Sequence, residues 1–279
     1  PAIYSLRAGV GEKLQPYVEL AEFTINESLE SILEGIWKRQ PKGIGFSCYI
    51  WNWKLIREIL TELPKILPDT EIWLGGPEVT YDGPGLLREF PQVTGIMVGE
   101  GEVTFREVLE QYLREAETAG QSEQQPESDS TEQQVADRRG TVAGKFVVER
   151  FGQIPGLCLA SGYTAPRDLT DLTTLPFLYE NMEPFTNRII YYETSRGCPY
   201  RCSYCLSSID KKVRLRDISV VKRELQFFLD QNVKQVKFID RTFNCDHKHA
   251  MEIWRYIYEH DNGVTNFHFE ISADILREE

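Results

Sequence analysis

The sequence has no long apolar run and no leader-like beginning. Across its 279 residues, no apolar run approaches the roughly 20 consecutive residues that a membrane-spanning helix needs. The residues after Pro1 do not combine a basic start, an apolar run and a cleavage site, as a secretory signal would. These absences predict a soluble cytoplasmic protein with no membrane partner.

Positive charge is also scarce, because 31 Lys and Arg residues against 43 Asp and Glu residues give a formal net charge of −12. Proteins that bind nucleic acids usually present clustered Lys and Arg to the phosphate backbone. The charge therefore disfavours a nucleic-acid substrate. Histidine is rare as well, and the first of the four is His247, so no histidine ligand is available before that position.

The six cysteines are distributed unevenly along the chain. Three of the six cysteines lie within eight residues, whereas a disulfide framework would spread them along a short secreted chain. This clustering indicates metal ligation in a reducing compartment. With 41% hydrophobic residues, the chain is long enough to bury the core of one large domain or two ordinary ones.

Up to residue 115, short apolar runs alternate with helical stripes, which is typical of an α/β fold with a doubly wound parallel sheet. The predicted strands are residues 18–23, 43–47, 71–74 and 95–98. Apolar stripes predict helices around Leu29–Ile36, Leu55–Leu63 and Phe105–Tyr112. Residues 1–14 are predicted to form the helix that follows an opening strand; since no strand precedes them, we expect a fragment of a longer protein.

Three further segments complete the predicted organisation. Residues 116–144 are polar and predict a disordered insertion. Residues 145–186 predict a hairpin, made of residues 146–149 and 157–160, followed by an irregular linker. Residues 187–279 resume the βα alternation, with strands at 189–193, 233–240 and 267–272 and helices at 219–230 and 246–260. This alternation predicts the first part of a β/α barrel, in which chemistry collects at the carboxyl ends of the strands.

The cysteine motif follows the first strand of that second domain. Cys198, Cys202 and Cys205 have a CxxxCxxC spacing. Three thiolates can hold three irons of a cubane cluster and leave the fourth iron open to a substrate. The alternative is a structural zinc site, which would need a fourth ligand from Cys245 or a histidine, and none of these is spaced like a second half-site.

The run from Glu193 to Cys205 resembles the signature of the radical S-adenosylmethionine (SAM) superfamily. The resemblance implies a 4Fe–4S cluster whose open iron binds SAM, reductive cleavage of SAM to a 5′-deoxyadenosyl radical, and an external electron donor such as flavodoxin or ferredoxin. It also places Tyr204 against the adenine of SAM, although packing of the loop is the alternative for this ring.

Two carboxylates at later strand ends are further candidates for SAM binding. Asp240 ends the second barrel strand, and Glu270 lies late in the third. The Gly-Gly-Glu pattern that usually binds the amino group of SAM is not visible here. A structural salt bridge or a helix cap therefore stays open for both residues.

In the first domain, the spacing from Ser47 and Tyr49 to Gly75 and Gly76 resembles the cobalamin-binding fold, as does the run Gly99-Glu100-Gly101. A strand-end hydroxyl and a glycine pair suit a nucleotide tail lying beside a sheet, although the same residues also serve as ordinary turn residues. The Asp-x-His-x-x-Gly motif that supplies a cobalt ligand is absent. Some members of the family lack it, so the resemblance still implies cobalamin.

Taken together, the chain resembles cobalamin-dependent radical SAM proteins of the class B methyltransferase-like group, except over the insertion. The implied fold is a Rossmann-like cobalamin-binding domain followed by the first part of a radical SAM β/α barrel (a partial TIM barrel). The implied function is a transferase acting on a small-molecule or peptidyl substrate. A tRNA methylthiotransferase would need three more cysteine ligands, but only Cys48 and Cys158 precede Cys198. A cobalamin or iron–sulfur sensor without turnover stays open.

Overall fold

The computed structural model describes residues 2–122, 141–210 and 212–276. These residues divide into two compact units, one ending at Leu169 and the other beginning at Thr170. No helix in the described ranges has the length and apolar character needed to cross a membrane.

The first unit is built on one five-stranded sheet with the order β1-β2-β3-β4-β5. Its strands are β1 (Gly43–Ser47), β2 (Glu71–Gly75), β3 (Val93–Met97), β4 (Leu157–Leu159) and β5 (Gly162–Tyr163). The first three are parallel, as predicted, whereas β4 and β5 form an antiparallel hairpin added beside β3. Parallel neighbours bring the carboxyl ends of β1, β2 and β3 to the same edge of the sheet.

Helices cover this sheet and supply its core. They are α1 (Ala2–Gly9), α2 (Leu29–Trp37), α3 (Trp53–Ile66), α4 (Gly83–Glu89), α5 (Glu102–Ser122) and α6 (Thr141–Phe151). The predicted stripes of α2 and α3 are confirmed, since Ile32, Ile36, Leu60 and Leu63 are buried in one cluster with residues of β2 and β3. Helices α4 and α6 were not predicted from the sequence.

The strand predicted at residues 18–23 is wrong. Among the described residues this segment pairs with no strand, and β1 forms the edge of the sheet. Two side chains contact this segment: the Nε of Arg7 donates to the carbonyl oxygen of Val18, and Arg39 forms an ion pair with Glu19. Alternating apolar residues favour a strand, but a strand also needs a neighbouring backbone to pair with.

The hairpin predicted from residues 146–149 is also wrong, because these residues lie in helix α6. The helix is held by tertiary contacts: the ring of Phe151 meets the ring of Trp73 edge-on at 4.9 Å, and Arg150 bonds to Glu71 and Glu115. The ends of the predicted disordered insertion are helical too, since α5 continues to Ser122 and α6 begins at Thr141. The rest of that prediction, residues 123–140, lies outside the described residues.

The division into units also differs from the predicted domain limits of 115 and 187. Residues 145–169, which contain the segments of the predicted hairpin, belong to the first unit, and residues 170–186 belong to the second. The physical reason is the pairing of β4 with β3, in which Cys158 lies opposite Ile96.

The second unit contains the predicted βα units in shorter form. Its strands are β6 (Ile190–Tyr192), β7 (Ser195–Arg196), β8 (Arg214–Leu215), β9 (Gln235–Phe238) and β10 (Asn266–His268), and its helices are α7 (Ile218–Asp230) and α8 (His247–Glu259). Strands β6, β9 and β10 form a parallel sheet in the order β10-β9-β6, and β7 pairs antiparallel with β8. Consecutive parallel strands joined by helices are what the start of a β/α barrel requires.

A buried ion pair joins the elements of the second unit near its first strand. The guanidinium of Arg216 lies 2.8 Å from Oε1 of Glu224 on α7, and the hydroxyl of Tyr192 on β6 donates to Oε2 of the same carboxylate at 2.5 Å. The backbone N–H of Arg216 donates to the carbonyl of Thr194 at 2.8 Å. Burial raises the pKa of Glu224, and the bond from Tyr192 and the charge of Arg216 oppose that rise.

We predict that Glu224→Gln destabilises the protein by about 3 kcal/mol, because it leaves the guanidinium of Arg216 buried without its counter-charge. Glu252→Gln on α8 is the matched control, since Glu252 pairs with Lys222 at a partly exposed position, where loss of the ion pair should destabilise the protein far less. Urea unfolding followed by circular dichroism measures both changes. Equal effects of the two substitutions would contradict the prediction.

Candidate functional site

The residues predicted to bind cobalamin lie at the carboxyl edge of the first sheet. In the strand register Ser47 is opposite Gly75, and Gly75 is opposite Met97. Gly76 follows β2 directly and Gly99 lies two residues after the end of β3, and both adopt positive φ angles, of 105° and 79°. The structure therefore brings these candidates of the first unit together along one sheet edge.

Position 76 requires a glycine, because the backbone of Cys48 lies close to it. A Cβ atom at this position would lie 2.5 Å from the carbonyl oxygen of Cys48, and its positive φ adds strain for any other residue. Gly99 is different, since no atom lies within 4 Å of the position of its Cβ. Gly75 would meet only Met97 at an ordinary van der Waals distance of 3.7 Å. This edge of the sheet thus has a tight backbone turn at Gly76 and open space beside Gly99. Such a surface suits a flat or extended ligand.

The loop after β1 carries aromatic side chains that the sequence analysis did not single out, apart from Tyr49. The rings of Tyr49 and Trp51 stack with their centroids 4.5 Å apart, and Trp51 is 66% exposed. Asn52 shapes the loop: its amide donates to the carbonyl of Ser47 at 2.9 Å and accepts from the N–H of Tyr49 at 2.8 Å. Three consecutive large apolar residues after a predicted strand end, with Ile50 between the two rings, were the available signal.

The run after β3 leads into helix α5. Adding a Cβ to Gly101 would bring it within 3.0 Å of the side chain of Leu6, so α1 packs closely against this turn. Glu102, in the first turn of α5, is buried and accepts a hydrogen bond from the hydroxyl of Ser5 at 3.0 Å. This bond gives Glu102 a structural role at the start of α5. Roles for Glu100 and Gly101 in binding stay predictions.

The three cysteines of the CxxxCxxC motif lie in the loop between β7 and β8 in the second unit. The loop is closed at its base, because the N–H of Cys198 donates to the carbonyl of Asp210 at 3.0 Å and Arg214 forms an ion pair with Asp210. Gly197 permits this closure: its φ is 95°, and a Cβ there would lie 2.5 Å from the carbonyl of Lys212. The two ends of the loop are thus bonded to each other.

The thiols differ in accessibility. Cys198 is buried, Cys205 is half-buried and Cys202 is exposed, and the six cysteines, all of which are described, form no disulfide. Within residues 2–122, 141–210 and 212–276, no three His, Cys, Asp or Glu side chains are arranged around a metal position. The loop therefore fits an iron–sulfur cluster through its donor atoms and its closed base, and not through a preformed cage.

The predicted SAM-binding residues occupy three different environments. Tyr204 projects from the cysteine loop with 91% of its surface exposed, so its ring is open to a ligand. Glu270 is partly exposed and lies 3.5 Å from Nζ of Lys237. Asp240 follows β9 and is fully buried. SAM contacts for these residues stay predictions, and the burial of Asp240 favours a different role.

The carboxylate of Asp240 is occupied by the segment between β6 and the cysteine loop. Its Oδ1 accepts from the hydroxyls of Thr194 at 2.6 Å and Ser195 at 2.5 Å, and its Oδ2 accepts from the N–H of Thr194 at 3.1 Å. Burial raises the pKa of Asp240, while these three hydrogen bonds lower it. The carboxylate therefore joins the end of β9 to the segment that enters the cysteine loop.

Comparison with known proteins finds one matching domain family and several similar methyltransferases. Residues 7–109 match the B12 binding domain family. An uncharacterised methyltransferase of Pyrococcus horikoshii is 27% identical over 64% of this chain and 35% of its own length. The cobalamin-dependent radical SAM methyltransferase TokK of Streptomyces tokunonensis is 27% identical over 73% of this chain and 28% of its own length.

A solved structure shares the fold over nearly the whole chain. It is the radical SAM methyltransferase TsrM from Kitasatospora setae with cobalamin and a 4Fe–4S cluster bound. The two chains superpose with a TM-score of 0.60 at 18% identity, over 94% of this chain and 49% of TsrM. The predicted fold class is confirmed. The chain spans about a third of the length of the curated relatives it matches.

We predict that iodoacetamide modifies the metal-free native protein at Cys202 first and spares Cys48. Cys202 is exposed, whereas burial raises the pKa of the Cys48 thiol to about 12. Peptide mass spectrometry at timed intervals measures the order, and a denatured sample shows that every cysteine can react. Modification of Cys48 as fast as Cys202 in the native protein would contradict the prediction.

Proposed function

We propose that this chain is the cofactor-binding part of a cobalamin-dependent radical SAM methyltransferase. The observation that carries the proposal is the placement of the CxxxCxxC loop just after the first strand of a parallel βα sheet. The match of residues 7–109 to the B12 binding domain family supports the cobalamin half of it. The names of the curated relatives support methyl transfer as the reaction class.

In the second unit, Cys198, Cys202 and Cys205 would hold the iron–sulfur cluster. When bound, the cluster supplies the electron that cleaves SAM reductively, at an iron that no cysteine occupies. The closed base of the loop restricts where the three sulfurs can be placed. The exposed ring of Tyr204 offers a face for adenine, and Glu270 would contribute a carboxylate for the polar part of SAM.

In the first unit, the edge formed by Ser47, Gly75, Gly76 and Gly99 would hold cobalamin. Gly76 lets the backbone turn closely beside Cys48, and the open position at Gly99 leaves space for the ligand. The stacked rings of Tyr49 and Trp51 provide an apolar surface beside the same edge. Since the first histidine of the chain is His247, the first unit supplies no histidine to the cobalt.

The substrate proposed is a small molecule, and an external donor such as flavodoxin or ferredoxin would supply electrons. A peptidyl substrate is a second possibility within the same reaction class. A methylthiotransferase is a weaker candidate, because the only thiols of the first unit, Cys48 and Cys158, are both buried and too few for a second cluster. A sensor would bind the same cofactors without turnover.

The decisive assay is anaerobic reconstitution with iron and sulfide, followed by chromatography for 5′-deoxyadenosine with SAM and a reductant. We expect the complete protein that contains this chain to form 5′-deoxyadenosine, and Cys202→Ala to abolish it because one iron loses its ligand. Cys245→Ala is the matched control and should retain activity, since Cys245 lies outside the motif. A loaded cluster that yields no 5′-deoxyadenosine would contradict the enzyme and favour the sensor.

A second prediction concerns cobalamin. Gly76→Ala should weaken hydroxocobalamin binding at least about tenfold, because the new Cβ pushes the turn away from Cys48. Gly162→Ala is the control, as Gly162 also has a positive φ, of 114°, but open space around its Cβ. Equilibrium dialysis measures affinity, and thermal melting shows whether each variant folds. Ser47→Ala provides a milder test of the same edge, and unchanged affinity in both edge variants would contradict the assignment.

A further inference from the structure

We propose that Asp240 is a positioning residue for the iron–sulfur loop: its carboxylate fixes Thr194 and Ser195 and thereby sets where Cys198 stands. This inference rests on the proposed function. It differs from the SAM contact predicted for Asp240 from the sequence, because it assigns the carboxylate to the protein itself.

The first step is that Asp240 has no exposed surface for a ligand. Its residue exposure is 0%, and both carboxylate oxygens already accept hydrogen bonds from Thr194 and Ser195. A buried carboxylate is stabilised by such donors, and three of them fill most of the roughly four lone-pair positions that a carboxylate offers. The polar groups that SAM presents would have to displace these bonds.

The second step is that the two partners of Asp240 form the entrance to the loop. Ser195 belongs to β7 and pairs with Leu215 of β8, and the carbonyl of Thr194 accepts the N–H of Arg216. These bonds fasten both ends of the loop to each other. Asp240 adds a side-chain connection from this base to the residues that follow β9.

The third step is a second contact from the same segment to a cysteine ligand. Thr242 lies two residues after Asp240, and its hydroxyl is 3.6 Å from the sulfur of Cys198. The short run from Asp240 to Thr242 therefore meets the loop at its base and at its first thiol. A displacement of Asp240 would move both contacts together.

Loss of the carboxylate should act through these bonds. In Asp240→Asn an NH2 group replaces one of the two accepting oxygens. In either orientation of the amide, this NH2 group faces the hydroxyls of Thr194 and Ser195 or the N–H of Thr194, so at least one buried donor loses its acceptor. The loop base should then open more often even without metal. In the loaded protein the sulfurs would be placed less well for SAM, although all three cysteine ligands remain.

The first test uses hydrogen exchange in the metal-free protein. We expect Asp240→Asn to speed exchange of the amides of Thr194 and Cys198 by about tenfold or more, because their local opening becomes easier. Asp246→Asn is the matched control from the same connection: its carboxylate accepts the N–H of His249 and caps α8, so it should leave the loop amides unchanged. Unchanged exchange in Asp240→Asn would overturn the proposal whatever metal the protein binds.

The second test separates positioning from direct contact with SAM. The double variant Thr194→Val with Ser195→Ala removes the hydroxyl donors and keeps the carboxylate. We expect it and Asp240→Asn to retain iron and sulfide, to weaken SAM binding by about tenfold, and to change the SAM-dependent electron paramagnetic resonance spectrum alike. Combining all three substitutions should weaken SAM binding little further, because the variants break the same set of hydrogen bonds.

Direct contact predicts a different pattern, in which the double variant binds SAM like the unsubstituted protein while Asp240→Asn does not. That result would overturn the proposal. If Asp240→Asn does not fold, the double variant still decides the matter, since normal SAM affinity and normal loop exchange in it contradict positioning. Failure of the proposed function can be told apart from failure of the positioning role. In the first case the unsubstituted protein would assemble no iron–sulfur cluster, and hydrogen exchange in the metal-free protein would still test the role of Asp240.

Discussion

Parallel strands place their carboxyl ends at one edge of a sheet, and both candidate sites of this protein depend on that constraint. In the first unit, β1, β2 and β3 end side by side, so Ser47, the glycine turn at Gly76 and the open position at Gly99 share one edge. In the second unit, β6 and β9 end beside each other, and the segment after β6 meets Asp240 after β9. Strand pairing alone therefore brings residues that are far apart in the sequence close together.

The cysteine loop adds a second constraint, because hydrogen bonds within the protein join its two ends. Its ends are fastened by backbone bonds between Thr194 and Arg216 and between Cys198 and Asp210, and Gly197 permits the tight return. The buried pair of Arg216 and Glu224 secures the exit of the loop to α7. Since these contacts do not involve the cysteines' sulfurs, the loop can be stable while Cys202 stays exposed. The fold thus fixes the two ends of the loop, and the proposed cluster would be bound by the cysteines between them.

Local patterns predicted much of this structure, whereas features that depend on distant partners were missed. The spacing of Cys198, Cys202 and Cys205 and the apolar stripes of α2 and α3 are local, and sequence reasoning found them. Helix α6 was missed because its stability comes from Phe151 against Trp73 and from Arg150 between Glu71 and Glu115, all distant in sequence. Residues 18–23 have a strand-like pattern but no backbone partner among the described residues. The strand-end position of Asp240 indicated ligand binding, and only the packed structure shows that Thr194 and Ser195 occupy its oxygens.

The central claim is that three cysteine sulfurs hold a cluster with one iron left for SAM. Mössbauer spectroscopy of the complete protein reconstituted with ⁵⁷Fe tests it most directly, because the spectrum resolves irons with different ligands. The account predicts that adding SAM shifts the signal of one iron in four and leaves the other three unchanged. A spectrum that SAM does not alter, or a protein that takes up zinc in place of iron, would contradict it.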